Sequence, residues 1–195
     1  MTTEIIAQRR NTIRGRLQRV RRQLSSQAIL SSELACSAYL SPALKHPSKI
    51  AGYLAIAGEM AVDRTLHYCR ELGSTTYLPI VRNDTLMFAE VTASTPMVKN
   101  RFGIDEPATA ASTWVQPMDL DYVLVPLVAF DANCNRLGMG GGFYDKSFAQ
   151  RIQQKAPPHL IGVAHAFQEV QTVYPESWDV PLDRVVTDEQ VFIRD

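Results

Sequence analysis

The first part of the chain carries an apolar stripe at helical spacing. Its positions are separated by four, three and four residues and comprise Ile13, Leu17, Val20 and Leu24. That spacing keeps the side chains on one face of an α-helix and favours a helix packed against the body of the protein. The next segment, residues 26–40, predicts a second helix that starts at Ser25 or Ser26 and ends before Pro42.

Further along, short apolar runs alternate with segments of helical periodicity. The predicted strands cover residues 50–56, 75–80, 86–90, 122–128, 160–164, 185–186 and 191–193, with a further short strand near Val98. The predicted helices between them cover residues 62–72 and 142–154. Strands that alternate with helices are typical of a three-layer α/β fold built around a mainly parallel sheet flanked by helices. We therefore predict one domain over residues 1–195, with a basic helix at its N-terminus.

Charge changes this picture at the N-terminus. The whole chain has a formal net charge of zero, but residues 1–22 hold seven arginines and one glutamate, which gives them +6 and leaves −6 for the rest. On a helical wheel Arg10, Arg14 and Arg21 lie within roughly 40° of one another, on one flank of the apolar stripe. Such a flank could bind a polyphosphate, or it could be a solvated basic face. The neutral overall charge argues against a nucleic-acid partner.

The remaining composition excludes several classes of protein. Three scattered cysteines without a CxxC pair indicate reduced thiols rather than disulfides or a zinc site. The N-terminal segment lacks the apolar stretch of a signal peptide, and the longest apolar run, residues 122–130, is about half of what a membrane span needs. No GxSxG or HExxH motif is present, which disfavours hydrolase and zinc-enzyme interpretations. We expect a cytoplasmic monomer that contacts no membrane.

A glycine-rich segment follows the strongest strand candidate. The stretch NRLGMGGGFYDKSF, residues 135–148, contains Gly138, Gly140, Gly141 and Gly142. In an open α/β sheet ligands bind at the carboxyl ends of the strands, and glycine lets the backbone approach a phosphate closely and adopt a positive φ. The stretch matches neither the P-loop motif nor the dinucleotide-binding fingerprint. It predicts a phosphate-binding loop, and a tight turn beside a closely packed helix is the alternative.

Asp145 stands at the start of the helix predicted after the glycines. A carboxylate in the first turn of a helix is stabilised by the helix dipole, so one interpretation is structural. Beside a phosphate-binding loop, the same carboxylate could hold Mg²⁺ against phosphate oxygens. The sequence leaves both interpretations open.

The glycine segment and its surroundings resemble the signature of a known family. The stretch VPLVAFDANCNRLGMGGGFYD is similar to that of 5-formyltetrahydrofolate cyclo-ligases, which are also called methenyltetrahydrofolate synthetases. Other segments agree in the same order along the chain, namely RRNTIRG, YLAIAGEMAVD, TYLPIV, NRFGIDEP and PLDRVVTDEQ. The resemblance covers nearly the whole chain, which is identified on this basis as a member of the family.

The resemblance implies a fold and a reaction. The fold would be the α/β type shared by the sugar-phosphate isomerase and CoA-transferase group. The reaction would be the ATP- and Mg²⁺-dependent cyclisation of 5-formyltetrahydrofolate to 5,10-methenyltetrahydrofolate, through a phosphorylated N-formyl intermediate and with release of ADP and phosphate. A formyl oxygen is a poor leaving group, so phosphorylation would let it depart as phosphate. Such a transfer depends on positioning and on charge neutralisation.

The resemblance also implies roles for particular residues. ATP would be bound by Arg10, Arg14, Arg136, Leu137, Gly138, Met139, Gly140, Gly141, Gly142, Phe143 and Tyr144. The folate would be bound by Leu54, Glu59, Phe102, Met139, Gly140, Gly141, Gly142 and Phe143. The catalytic residues would be Arg136, Tyr144 and Asp145, and the ligands of Mg²⁺ would be Asp145 and Asp183. Glu59 suits the pterin because a carboxylate accepts two N–H bonds at once.

Three positions depart from the family pattern. Arg10 stands where Lys is usual, so Arg9 and Arg10 compete for one phosphate-binding role. Met139 occupies a position often held by Arg, and Phe102 occupies one where some members carry Trp. Two alternative functions remain at this point, a sugar-phosphate isomerase or transferase that needs no ATP, and a nucleic-acid module that uses the arginine helix alone.

Overall fold

The computed structural model describes residues 2–194. Its α-helices are α1 (Thr3–Arg22), α2 (Ser26–Leu40), α3 (Asp63–Glu71) and α4 (Phe143–Ser147). Its strands are β1 (Lys49–Ala51), β2 (Thr75–Arg82), β3 (Thr85–Glu90), β4 (Met97–Lys99), β5 (Asp105–Pro107), β6 (Tyr122–Pro126), β7 (Ala129–Phe130), β8 (Arg136–Leu137), β9 (His159–Val163), β10 (Arg184–Val186) and β11 (Val191–Ile193). Short 3-10 helices cover Ser41–Ala43, Ala111–Thr113, Pro117–Asp119, Ala149–Ile152 and Ala166–Gln168. The start of α2 is as predicted, since the hydroxyl of Ser25 accepts the N–H of Ala28 at 3.2 Å.

Seven strands form one sheet in the order β11-β10-β9-β6-β1-β2-β3. The five inner strands run parallel, and the two edge strands β11 and β3 are antiparallel to their neighbours. This confirms the predicted mainly parallel sheet flanked by helices. Strand β2 follows β1 in the chain and lies on one side of β1 in the sheet, whereas β6 lies on the other side of β1. The strand order therefore reverses between β1 and β6, which is where open α/β sheets bind ligands.

The central strands are buried on both faces. In β6, Leu124 packs in a cluster with α2 and α3, whereas Val123 and Val125 pack in a second cluster that includes Phe148. Both faces of a parallel sheet are covered, so its central strands read as continuous apolar runs. This explains why residues 122–130 form the longest apolar run in the sequence.

Helix α1 packs beside the carboxyl end of β6. Leu17 is buried there and, with Ile13, contacts the short β7–β8 ribbon through residues such as Ala129 and Leu137. The predicted stripe is confirmed at these two positions, but Val20 is 40% exposed, and the second buried residue of α1 is Arg21. Throughout residues 2–194, no helix is both long enough and apolar enough to span a membrane.

Two predicted elements are shorter than the sequence pattern indicated. The strand predicted over residues 50–56 ends at Ala51, and the chain continues without helix or strand to residue 62, with positive φ at Ala57 and Gly58. The helix predicted over residues 142–154 ends at Ser147 and gives way to a 3-10 helix. The hydroxyl of Ser147 donates to Phe143 O and accepts the N–H of Leu86, so it competes with the regular helical pattern.

Candidate active site

A large cavity opens where the strand order reverses. Its volume is about 1130 Å³, and it is bordered by the segments that leave β1 and β6, including Tyr53, Leu54, Pro126 and Leu127. Pockets for one drug-sized ligand usually measure about 300–1,000 Å³. The volume of the cavity therefore lies just above that range.

The glycine segment forms part of the cavity wall between β8 and α4. Gly138, Met139 and the three glycines that follow all line the cavity. Gly140 has φ +106° and Gly142 has φ +69°, conformations that residues with a side chain rarely adopt. The positive φ expected from the sequence is confirmed at both positions. The backbone of this loop is thus directly accessible to a ligand.

Arg14 holds the glycine loop from α1. Its Nε donates to Gly138 O at 2.9 Å, and a terminal nitrogen donates to Asn11 Oδ1 at 2.8 Å. Burial and the neighbouring Arg10 lower the pKa of Arg14, whereas Asp179 opposes the shift. Both hydrogen-bond acceptors are neutral, so within the described part of the chain the charge of Arg14 has no carboxylate bound directly to it.

Arg9 and Arg10 are the two candidates for one phosphate-binding role, and the structure places them differently. Arg10 lines the cavity and forms a bidentate pair with Asp179, with N–O distances of 2.7 and 3.1 Å. Arg9 lies outside the cavity lining and donates to the hydroxyl of Tyr174 at 3.0 Å. Of the two, Arg10 is therefore the one placed to meet a ligand.

Arg136 and Asp145 form a buried pair at the cavity wall. A terminal nitrogen of Arg136 donates to Asp145 Oδ1 at 2.7 Å, and the Arg136 side chain is only 4% exposed. The other terminal nitrogen donates to Val180 O, while the N–H of Val180 donates to the same Asp145 oxygen at 3.0 Å. The carboxylate takes these hydrogen bonds from outside α4, so its contacts are not those of a simple helix cap.

Glu59 lies on the turn that follows β1, and its carboxylate is buried at the cavity. Its Oε2 accepts the N–H of Ile56 at 3.2 Å, and its Oε1 lies 3.6 Å from a terminal nitrogen of Arg21. Burial raises the pKa of Glu59, while Arg21 and the N–H of Ile56 oppose that shift. The turn is tight, because a Cβ on Gly58 would lie 2.6 Å from the backbone oxygen of Arg21.

This close approach gives a stability prediction with a matched control. Gly58 (φ +76°) and Gly73 (φ +81°) both have positive φ, but a Cβ at Gly73 would meet nothing within 4 Å. Gly73→Ala should lower the free energy of unfolding by about 1–2 kcal/mol through backbone strain alone. Gly58→Ala should lose about 1–3 kcal/mol more, because the backbone must also move. Urea titration checks this, and equal losses would show that the Arg21 backbone does not constrain the turn.

Aromatic side chains form another part of the wall. Phe102 and Phe143 meet edge to face with their centroids 5.6 Å apart, and both line the cavity with Leu54. Tyr144 also lines it, and burial, with Glu59 adding to the effect, raises the pKa of the Tyr144 phenol. The phenol therefore stays protonated at neutral pH and can donate a hydrogen bond to a ligand.

Two residues expected in the site are not part of the cavity lining. Leu137 is fully buried and packs with Leu17 in the cluster under α1, so its side chain does not reach the cavity. Asp183 is not part of the cavity lining either: its Oδ1 pairs with Arg151 at 2.6 Å, and its Oδ2 accepts the N–H of Leu160 at 2.6 Å. Both oxygens of Asp183 are thus bound to its own surroundings, whereas Asp145 borders the cavity. The other expected site residues all line the one cavity.

The donor set limits how a metal could bind. Within residues 2–194, no three His, Cys, Asp or Glu side chains are grouped as metal ligands. Asp145 is 24% exposed at the cavity, and its described hydrogen bonds use only Oδ1. Mg²⁺ is often held by one or two carboxylates together with substrate phosphates and water. The residues present fit such a shared site and not an all-protein cage.

Sequence reasoning missed several residues of the site. The helical wheel places Arg21 beside Arg10 and Arg14, but its side chain points into the protein and the residue is 2% exposed. Asp179 and Trp178 line the cavity, yet they lie in an irregular segment whose sequence has no helical or alternating pattern. The pairing of Asp179 with Arg10 joins two segments that are far apart in the chain, which no local pattern reveals.

The fold and the site define a class, that of α/β proteins with a large cavity where the strand order reverses. A model of the 5-formyltetrahydrofolate cyclo-ligase family matches residues 6–188, and the chain belongs to that family. The 5-formyltetrahydrofolate cyclo-ligase of Haemophilus influenzae is 32% identical over 180 residues, 90% of this chain and 95% of the relative. That of Escherichia coli strain K12 is 34% identical over 146 residues, 73% and 79% of the two chains. As a member of this family the protein is a ligase.

Solved structures agree with this assignment. The 5,10-methenyltetrahydrofolate synthetase of Aquifex aeolicus superimposes with a TM-score of 0.80 at 28% identity, covering 95% of this chain and 93% of the other. That of Mycoplasma pneumoniae gives a TM-score of 0.73 at 24% identity, covering 92% and 98%, and shows a shared fold.

Proposed function

We propose that the protein catalyses the ATP- and Mg²⁺-dependent cyclisation of 5-formyltetrahydrofolate to 5,10-methenyltetrahydrofolate, with release of ADP and phosphate. The observation that carries this proposal is that two different features line the same cavity. One is the glycine loop, which is bound by Arg14, and the other is the buried carboxylate of Glu59. The first suits phosphates and the second suits the N–H groups of a pterin. Family membership supports the same reaction.

The proposed chemistry has two steps. The formyl oxygen attacks the γ-phosphorus of ATP, and the bond from that phosphorus to the ADP oxygen breaks. N10 of the folate then attacks the activated formyl carbon, the carbon–oxygen bond breaks, and phosphate leaves with the proton that N10 gives up. The protein supplies positions and charges for these steps rather than covalent chemistry.

The residues of the chain would divide this work. Arg14 and the N–H groups of the glycine loop would bind phosphate oxygens, because Arg14 already bonds Gly138 and carries a charge that no carboxylate contacts directly. Arg136 is held at a fixed position by Asp145 and Val180 O, so it can stabilise developing charge without reorganising. Phe102 and Phe143 would pack on the folate rings.

Glu59 would accept N–H bonds from the pterin edge and set the orientation of the formyl group. Mg²⁺ would neutralise phosphate charge, with Asp145 as the protein ligand that the geometry best supports. We also propose that residues 1–195 act as one domain, which the single seven-stranded sheet supports.

The reaction is tested by mixing the purified protein with 5-formyltetrahydrofolate. We expect the absorbance of methenyltetrahydrofolate to appear only when ATP and Mg²⁺ are both present. The alternative, a sugar-phosphate isomerase or transferase on a similar fold, needs no nucleotide. Product formation without ATP would contradict the proposed function, as would its absence with all components present.

A further inference from the structure

Arg21 lies at the C-terminal end of α1 with its guanidinium inside the protein. Its Nε donates to Ala57 O at 3.0 Å, and one terminal nitrogen donates to Leu127 O at 3.3 Å. The other terminal nitrogen lies 3.6 Å from Glu59 Oε1. The side chain therefore joins the two segments that leave β1 and β6, which border the cavity.

The turn that carries Glu59 depends on support from outside itself. Ala57 has φ +48°, an unfavourable conformation for a residue with a side chain, and Gly58 has φ +76°. The carbonyl of Ala57 is held by Arg21, and the carbonyl of Gly58 lies 3.1 Å from His165 Nε2. Burial lowers the pKa of His165, and because a carbonyl oxygen can only accept, Nε2 is the donor in this contact. Both contacts fix the backbone immediately before Glu59.

Arg21 also sets the charge around Glu59. The carboxylate is 7% exposed, and the phenols of Tyr53 and Tyr144 lie near enough to interact electrostatically with it. An isolated buried carboxylate favours its protonated form, and a nearby cation opposes this. Arg21 is the cation that pairs with Glu59. Without it, the group would lose both its partner and part of its backbone support.

We propose that Arg21 is a positioning residue that holds the Glu59 carboxylate in place as an acceptor for the N–H groups of the folate. This rests on the proposed function, since it requires folate to bind at Glu59. Arg21 acts through Glu59 and makes no contact with the nucleotide. It differs in this from Arg10 and Arg14, which share its side of α1 but line the cavity.

The test compares substrate constants in Arg21→Met with those of the unchanged protein. We expect the KM for 5-formyltetrahydrofolate to rise by about 10-fold while the KM for ATP changes by less than about two-fold. Arg21→Lys should recover part of the loss, because it restores a charge without the fork geometry. The double variant Arg21→Met with Glu59→Gln should have a KM for 5-formyltetrahydrofolate no higher than that of the more impaired single variant, since both changes remove the same interaction.

Arg151→Met is the matched control. Arg151 is also a buried arginine paired with a carboxylate, 2.6 Å from Asp183, but it lies outside the cavity lining. Loss of stability alone should affect both variants, whereas a selective rise in the folate KM should occur only at Arg21. Titration calorimetry with 5-formyltetrahydrofolate alone measures the same loss of affinity without turnover. If Arg21→Met does not fold, Arg21→Lys is used for all these comparisons.

A pH profile separates positioning from a purely structural role. Arg21 lowers the pKa of Glu59, so its removal should raise that pKa and protonate more of the carboxylate at neutral pH. Folate affinity in the variant should therefore be lost at a higher pH than in the unchanged protein and should recover as the pH rises. The shift should vanish when Glu59→Gln is added, whereas a shift that belongs to His165 would remain.

Two results would overturn the proposal. One is a folded Arg21→Met protein with an unchanged folate affinity. The other is an equal rise of both KM values, which would indicate general damage to the cavity. An unchanged protein that binds folate but produces no methenyltetrahydrofolate would contradict the proposed function and leave the Arg21 binding comparison intact.

Discussion

Arg14→Ala is expected to raise the KM for ATP by about 10- to 150-fold, which corresponds to the roughly 1.5–3 kcal/mol of one hydrogen bond to a charged group. Arg14 is the cavity arginine for this test because its acceptors, Gly138 O and Asn11 Oδ1, are neutral. Arg10 is already neutralised by Asp179 at 2.7 Å, so its truncation should change nucleotide binding less. Steady-state kinetics at saturating folate measure the effect.

Arg22→Ala is the control for this prediction. Arg22 is exposed at the end of α1 and is not part of the cavity lining, so its loss should leave the KM for ATP nearly unchanged. Increasing the salt concentration should weaken binding in the unchanged protein only moderately, because the Arg14 contact is partly buried. Equal effects of the two substitutions would indicate that α1 acts as a general basic surface.

The sequence predicted the sheet well because its signal is local. The run over residues 122–130 is apolar because β6 is covered on both faces, and a buried central strand has few other solutions. The glycine loop was also predictable, since positive φ at Gly140 and Gly142 strongly limits the residue type. These features depend on residues close together in the chain.

The parts that sequence reasoning missed depend on contacts between distant segments. On a helical wheel Arg21 is indistinguishable from Arg10 and Arg14. It nevertheless points inward, because Glu59 pairs with its charge and two carbonyl groups accept its hydrogen bonds. The early end of α4 likewise depends on Ser147, whose hydroxyl bonds strand β3 as well as its own helix. Periodicity describes which side of an element is apolar, but not which buried partner a polar residue finds.

The two acidic residues expected around Mg²⁺ illustrate the same limit. The resemblance paired Asp145 with Asp183, and the structure gives each of them a buried arginine and one backbone N–H. Their surroundings are therefore chemically alike, but only Asp145 lines the cavity. This makes Asp183 an unusually close control for a change at Asp145.

Asp145→Asn is expected to fold and to lower kcat by about 100-fold or more, as the loss of a preorganised charge contact at a reacting phosphate does. The amide oxygen can still accept from Arg136 and Val180, so the wall of the cavity should keep its shape. Only the charge that would face Mg²⁺ and the phosphates under the proposed function is lost. We further expect the Mg²⁺ concentration for half-maximal rate to rise by roughly 10- to 100-fold, the range seen when groups that support a metal are removed.

Asp183→Asn should lose a similar amount of stability without this loss of rate. Each substitution removes the carboxylate charge from an ion pair with an arginine. The arginine side chains are nearly buried, with 4% of Arg136 and 6% of Arg151 exposed. Thermal unfolding and Mg²⁺ titrations of both variants, measured below their melting temperatures, separate the two effects. A comparable fall in kcat at Asp183 would support the metal site with two carboxylates that the family resemblance implies. Normal turnover in a folded Asp145→Asn protein would instead leave that carboxylate with only its structural role of holding Arg136 against the cavity.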